Sequence, residues 1–165
     1  MIIEDGSGKP DAESYATAQE LADYAVKYGV KVPSETVALE ALLRRAALAM
    51  EVMSWKGHRS SASQALTWPR SALHLDGITQ PHGLLPDRIR YGQMALASEL
   101  HANDLNPPET RKGAVIRERV EGAVEREYAD VSSKDLGQNA SAAACQSVMH
   151  FSSYREHRGL WARRV

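Results

Sequence analysis

Apolar residues recur at helical spacing in three separate stretches of this chain. They return every three or four positions over residues 17–28 and 35–54, and Ser34 stands where the second stretch would have its N-cap. Gly29 follows the first stretch, at the position of a left-handed C-cap. A third stretch begins at Pro86 and ends before a pair of prolines. The pattern therefore predicts three helices that share a core, the second being the longest.

Residues 114–129 alternate instead, which predicts a β-hairpin. A two-residue loop at Glu121 and Gly122 would oppose like charges twice. A three-residue loop over 121–123 opposes complementary charges, and we prefer this register because such pairs stabilise a hairpin by roughly 0.2 to 1 kcal/mol each. The predicted partners are Arg119 with Glu125, Glu118 with Arg126, Arg117 with Glu127 and Ile116 with Tyr128.

The remaining segments complete the predicted fold. Residues 56–85 lose their periodicity and are punctuated by glycine and proline, and a last helix is predicted from about Ala140. We expect a mainly α protein, a small bundle of about four helices with a long irregular connection and a protruding β-hairpin. The predicted organisation is one domain over residues 1–158, hairpin included, followed by a C-terminal docking tail over 159–165.

Composition narrows the possible functions. The 165 residues carry 20 basic and 21 acidic side chains, for a net charge of −1, so no global basic field favours nucleic acid. The single Cys145 has no partner for a disulfide or a zinc site, and no apolar run is long enough to span a bilayer. We expect a soluble protein made in a reducing cytoplasm, without membrane contact.

No motif indicates catalysis, a metal or a cofactor. The string GSGKP at residues 6–10 lacks the earlier glycine and the Ser or Thr of a phosphate loop, and Pro10 removes a backbone donor. The six histidines form no metal-binding pattern, and no GxSxG elbow is present. We expect no enzyme activity.

The stretch WKGHRSSASQALTWPR, residues 55–70, allows two interpretations. Tryptophans beside basic residues can stack on nucleobases. They can equally pin an irregular connection to the core, because burial of an indole offsets the ordering of several loop residues. We favour the second interpretation, which predicts five structural anchors: Trp55, Gly57, Trp68, Pro69 and Arg70.

Several groups of residues carry a resemblance to a known family. The sequences DGSGKPDAESYATAQELADY, ALLRRA, WKG, LTWPR and LPDRIRYGQMALASEL occur in this order. They resemble a family of tailed-phage proteins known as DnaT-like single-stranded-DNA-binding proteins, which are similar to the head-tail connector, or adaptor, proteins of the phage neck. The resemblance covers roughly residues 4–105, and the hairpin and tail are only loosely similar.

The resemblance implies a structural connector in the virion neck. Such a protein would form a homo-oligomeric, dodecameric ring under the portal protein, join the DNA-filled capsid to a downstream tail or nozzle protein, and let double-stranded DNA pass during genome ejection without reading its sequence. Balanced charge and the lack of a catalytic motif are compatible with this role. The alternative is a single-stranded-DNA-binding protein acting in phage DNA metabolism.

The connector hypothesis assigns two further sets of residues. The hairpin has charges on both of its faces and would need a neighbouring subunit, since an isolated two-stranded ribbon is marginal in water. The tail displays large apolar residues flanked by arginines, as interface anchors often do. The subunit interface would comprise Ile116, Glu118, Glu125, Arg126 and Tyr128, and the portal-binding tail would comprise Gly159, Leu160, Trp161, Arg163, Arg164 and Val165.

Overall fold

Helices dominate the part of the chain that the computed structural model describes, residues 1–105, 115–121, 123–128 and 145–156. Four helices occur there: α1 (Ala18–Tyr28), α2 (Thr36–Glu51), α3 (Asp87–Leu105) and α4 (Gln146–Phe151). Six strands pair into three two-stranded antiparallel sheets. They are β1 (His58–Arg59) with β2 (Arg70–Ser71), β3 (His74–Leu75) with β4 (Ile78–Thr79), and β5 (Val115–Glu121) with β6 (Ala123–Tyr128). The mainly α class therefore agrees with the expectation.

Helix α1 is closed at both ends by its own sequence. The Thr17 side chain accepts from the Glu20 N–H, and the Glu20 carboxylate accepts from the Thr17 N–H, which completes a capping box. At the other end Gly29 adopts φ +67°, as predicted, and its N–H donates to the carbonyl of Ala25. This C-cap makes Tyr28 the last residue of the helix.

Helix α2 buries the face that the periodicity predicts, including Leu39, Leu43 and Met50. The predicted cap at Ser34 is wrong, because Glu35 is the N-cap and its side chain makes no capping hydrogen bond. The helix also ends at Glu51 rather than at residue 54, since the chain turns there to bring Trp55 back into the core.

Helix α3 packs against both α2 and α4. Its residues at helical spacing are buried to different extents: Ile89 and Gln93 are buried, whereas Leu96 and Leu100 are half-buried. Close approach of α4 is possible because Gly92 has no side chain, and a Cβ there would lie 2.1 Å from Cε1 of Phe151. Because α2 and α4 both pack against α3, the buried residues of α3 are not confined to one face.

The connection over residues 56–85 is not wholly irregular. Strands β1 and β2 pair across it, and β3 and β4 form a hairpin with Asp76 and Gly77 as its two loop residues. Both loop residues have positive φ, at 52° and 80°, as a type I′ turn requires. The Asp-Gly pair was the signal in the sequence for this hairpin.

The paired strands β5 and β6 test the register argued from charge. Arg119 lies opposite Glu125, Glu118 opposite Arg126 and Arg117 opposite Glu127, which confirms three of the four predicted pairs. The fourth is wrong: Tyr128 pairs with Val115, because the register shifts between Val115 and Arg117 and leaves Ile116 out of the pairing.

Two apolar clusters form the core. One lies around α1, the N-terminal half of α2 and the middle of α3, and the other joins the end of α2, the connection and α4. Gln93, fully buried, links the segments beside them: its Oε1 accepts from the Tyr15 N–H at 2.9 Å and its Nε2 donates to the Leu43 carbonyl at 2.9 Å. This satisfied polar side chain fixes α3 against α2 and the N-terminal segment.

Some sequence-based predictions fall outside the described ranges. They are the beginning of the last helix near residue 140 and the role of the tail residues 159–165. For β5 and β6 the structure describes the backbone pairing, so the predicted subunit contacts of their side chains lie outside it as well. Among the described helices, none is long and apolar enough to cross a bilayer.

Candidate functional site

The tryptophans of the 55–70 stretch lie inside the protein. Trp55 is 5% exposed and Trp68 is fully buried, and their rings meet edge to face with centroids 5.7 Å apart. The Trp55 Nε1–H donates to the Met50 carbonyl at 2.9 Å, and the Trp68 backbone N–H donates to the Tyr15 hydroxyl at 3.1 Å. Neither indole offers a free face to a planar ligand.

The guanidinium of Arg70 binds backbone carbonyls rather than facing solvent. Its Nε donates to the carbonyl of Lys56 at 2.8 Å and its terminal nitrogens donate to those of Gly57 and Thr67 at 2.6 and 3.2 Å. Gly57 has φ +71°, and a Cβ there would lie 2.4 Å from the Ser71 carbonyl oxygen. These contacts hold the beginning of the connection against its middle.

The GSGKP turn contains an anion site that the protein occupies itself. The carboxylate of Glu4, 1% exposed, accepts from the backbone N–H groups of Gly6 and Gly8 and of Lys9, at 2.8 to 2.9 Å. Such converging N–H groups form the kind of nest that binds phosphate elsewhere. Because Glu4 fills the nest, no phosphate site is left in this turn.

Exposed aromatic side chains occur instead where α1, α3 and α4 meet. Tyr28 at the end of α1 is 40% exposed, and Tyr91 of α3 and His150 of α4 are half-buried. Tyr28 and Tyr91 meet edge to face with centroids 6.5 Å apart, and Tyr91 stacks on His150 at 5.9 Å with 20° between the planes. We call Tyr28, Tyr91 and His150 the aromatic platform.

A buried tyrosine supports the platform from below. Tyr24 is 2% exposed, stacks on Tyr28 with centroids 4.3 Å apart, and donates its hydroxyl proton to Gln146 Oε1 at 2.7 Å. Residues four apart on a helix lie on the same face, so α1 itself sets this stack. Its hydrogen bond to α4 ties the support to the helix that carries His150.

Two cationic side chains border the platform. The Lys27 Nζ lies 5.7 Å from the centroid of the Tyr28 ring and 5.8 Å from that of Tyr91. Arg88, exposed and one turn before Tyr91 on α3, lowers the pKa of His150. Among the described residues neither Lys27 nor Arg88 forms an ion pair, which leaves both for a ligand.

Burial shapes the titration of the platform. It lowers the pKa of His150, and nearby Arg88 acts in the same direction, so the imidazole is held neutral to lower pH than usual. Burial also raises the pKa of Tyr24 to about 12, with Tyr28 and Glu99 as further causes. The His150 imidazole and the Tyr24 phenol are therefore uncharged near neutral pH.

The arrangement of these side chains suits ligand binding rather than catalysis. Flat, partly exposed rings next to unpaired cations can hold a planar aromatic group and an anion together. Within the described residues, no three His, Cys, Asp or Glu side chains lie close enough to hold a metal ion.

Sequence reasoning looked for this surface in the wrong place. The predicted anchors Trp55, Trp68 and Arg70 lie together in the core and the connection, whereas the sequence analysis gave no binding role to Tyr28, Tyr91 or His150. The three platform residues are far apart in the chain and only folding brings them together. The one local hint was the aromatic residue of the RIRYG string, which lies beside a basic side chain.

Comparison with known proteins gives one match over almost the whole chain. A family model described as "Putative DnaT-like ssDNA binding protein" matches residues 1–164. No curated protein and no solved structure matches the chain.

The family match corrects the connector hypothesis. The description names single-stranded DNA as the ligand, which agrees with the alternative interpretation of the sequence and not with a head-tail connector. The predictions of a ring under a portal, of portal and tail partners, and of double-stranded DNA in a channel are therefore wrong. The portal-binding role of the tail residues 159–165 falls with that partner, while the subunit contact of the hairpin residues stays a prediction.

Proposed function

We propose that this chain, which belongs to the family of DnaT-like single-stranded-DNA-binding proteins, itself binds single-stranded DNA, and does so through the aromatic platform. The observation that carries the proposal is the position of Lys27 beside the partly exposed rings of Tyr28 and Tyr91. Single-strand binders that tolerate many sequences combine stacking rings with cations that follow the backbone.

Stacking of a base on these rings is more favourable than the cation–π contact that Lys27 makes with them. A cation above an exposed aromatic ring contributes about 0.5 to 1 kcal/mol, whereas stacking of a base contributes about 1 to 3 kcal/mol. The Lys27 side chain is exposed and flexible, so it can leave the rings when a base arrives. Its ammonium then pairs with a phosphate, and this ion pair replaces the contact with the rings that the lysine gives up.

The charge distribution determines the affinity for single-stranded DNA and its dependence on salt. Net charge is −1, so only local cations attract the strand. Contacts from Lys27 and Arg88 to two phosphates correspond to a slope of about −1.4 in log K against log salt, since each single-strand contact contributes about 0.7. We expect moderate affinity with a shallow salt dependence.

The test measures fluorescence anisotropy of a short labelled oligonucleotide with the whole protein and three variants. Tyr28→Ala removes the most exposed ring and should weaken binding by about five- to a hundredfold, whereas Tyr28→Phe keeps the ring and should bind as the natural protein does. Lys27→Ala should reduce the salt slope by about 0.7.

Lys31→Ala is the matched control for the charge. It removes one exposed lysine from the same region, beyond the α1 cap at Gly29, and Lys31 does not border the platform. If the lysines act only through net charge, the two alanine variants will behave alike and the platform is not the site. Absence of binding by the natural protein at low salt would refute the proposed function itself.

A further inference from the structure

A cavity opens beside the aromatic platform, between α1 and α3. Its volume is about 330 Å³, at the small end of the range for ligand pockets. Tyr24 of α1 and Tyr91 of α3 supply its aromatic walls, so the cavity continues from the stacking surface, and Met94 adds apolar area. Its size and its aromatic walls suit a single planar ring.

The polar lining of this cavity is acidic. Three carboxylates, those of Glu20, Asp23 and Asp87, face it together with the cations Arg90 and Lys27. A phosphate is therefore disfavoured inside the cavity, whereas a group rich in N–H donors is favoured. Phosphates are better placed outside the cavity, near Arg88 and near the Lys27 ammonium, which lies over the Tyr28 and Tyr91 rings.

The carboxylates differ in how far the protein already uses them. Glu20 accepts from the backbone N–H of Thr17 and from Arg90, so its oxygens are occupied. Asp23 accepts from Gln19 through one oxygen, at 2.9 Å. Asp87 is 84% exposed, and within the described residues its only ion-pair partner is Arg90, at 3.9 Å. Asp23 and Asp87 therefore keep acceptor capacity for a ligand.

We infer that this cavity receives a nucleobase next to the stacked one, and that Asp23 and Asp87 make the site prefer bases with an exocyclic amino group. The inference rests on the proposed function. Carboxylates accept hydrogen bonds from cytosine N4, and adenine and guanine also carry amino groups. Thymine and uracil present a carbonyl oxygen instead, which a carboxylate repels, and their one N3–H lies between two such oxygens.

Oligo(dC) and oligo(dU) of equal length are the sharpest probes. They are both pyrimidine strands, neither carries the thymine methyl group, and they differ in the donor and acceptor groups that the cavity would read. At one fixed salt concentration the natural protein should bind oligo(dC) about three- to tenfold more tightly than oligo(dU), less than a full bidentate contact would give.

The variants Asp87→Asn and Asp23→Asn test whether these two carboxylates set the preference for oligo(dC). An amide offers both a donor and an acceptor, so each variant should bring the ratio of the two affinities towards one, mainly by strengthening oligo(dU). Asp11→Asn is the matched control: it removes one exposed carboxylate that does not line the cavity, and should leave the ratio unchanged.

The outcomes separate the two proposals. Equal affinity of the natural protein for both oligonucleotides, or an unchanged ratio in both aspartate variants, would overturn the inference while the proposed function stands. Absence of binding to either strand would overturn both. A ratio that falls equally in the Asp11 variant would show a general effect of charge and also overturn the inference.

Discussion

Replacing Gly92 by alanine tests the contact between α3 and α4 on which the platform depends. The new Cβ would lie 2.1 Å from Cε1 and 2.7 Å from Cδ1 and Cζ of Phe151. Phe151 is 1% exposed and its ring packs edge to face on Trp55, with centroids 5.1 Å apart, so the ring has little room to turn. The clash must therefore be relieved by a shift of α4 itself.

Two opposing effects decide the magnitude. Alanine favours a helix interior over glycine by about 1 kcal/mol. Overpacking of a core costs about 1 to 3 kcal/mol, and three ring atoms of a confined side chain place this case at the upper end. We expect Gly92→Ala to lower the free energy of unfolding by about 1 to 2 kcal/mol, and to weaken oligonucleotide binding because His150 moves with α4.

Urea denaturation followed by circular dichroism gives the change in unfolding free energy. The matched control is Ala102→Gly, at an exposed position of the same helix, which measures the intrinsic difference between the two residues. The double variant Gly92→Ala with Phe151→Leu removes ring atoms from the clash and should be less destabilised than the sum of the two single changes. A Gly92→Ala protein as stable as the natural one, or more stable, would refute the close approach of the two helices.

Two further predictions concern the core and pH. Trp68→Ala should lower the unfolding free energy by about 3 to 5 kcal/mol, because this indole is fully buried in the apolar cluster that joins the end of α2, the connection and α4. Full thermal stability together with lost oligonucleotide affinity would contradict the anchoring role. Since burial and Arg88 lower the pKa of His150 in the folded state, the unfolded chain binds the proton more readily. Stability should be complete above its usual pKa of 6.5 and decline as the pH falls below it. A melting temperature that declines equally in His150→Gln would contradict this assignment.

Helices were predictable where one face is apolar and an end is marked by local chemistry. The Gly29 cap could be located because left-handed φ is costly for most other residues, and three of the four predicted β5–β6 pairs followed from charge and loop length, whereas the register shift at Ile116 did not. Ser34 misled because N-cap preference is weak when packing decides where a helix begins. The Asp76–Gly77 hairpin had a clear local signal, whereas the pairing of β1 with β2 depends on contacts between distant residues.

The platform was out of reach of sequence reasoning for a physical reason. A tyrosine at helical spacing has the same pattern whether its ring is covered or exposed, and Tyr24 and Tyr28 differ in exposure although they lie one turn apart. The difference in exposure between the two tyrosines depends on the packing of α4. This helix supplies Gln146 as the hydrogen-bond partner of the Tyr24 hydroxyl and places His150 against Tyr91. Which residues lie under α4 is a property of the assembled helices.

The aromatic side chains of the described helices and of the connection include two groups with separate roles. The connection over residues 56–85 has few helical hydrogen bonds to order it, so burial of Trp55 and Trp68 must offset the entropy of ordering its backbone. Tyrosines at the edge of α1 and α3 keep part of their rings and a polar end in water, which suits a surface that a ligand can complete. Changes in the first group should therefore alter stability before binding. Changes at Tyr28 should alter binding while the free energy of unfolding stays nearly constant, and a Tyr28→Ala protein that loses as much stability as Trp68→Ala would show that this ring belongs to the core.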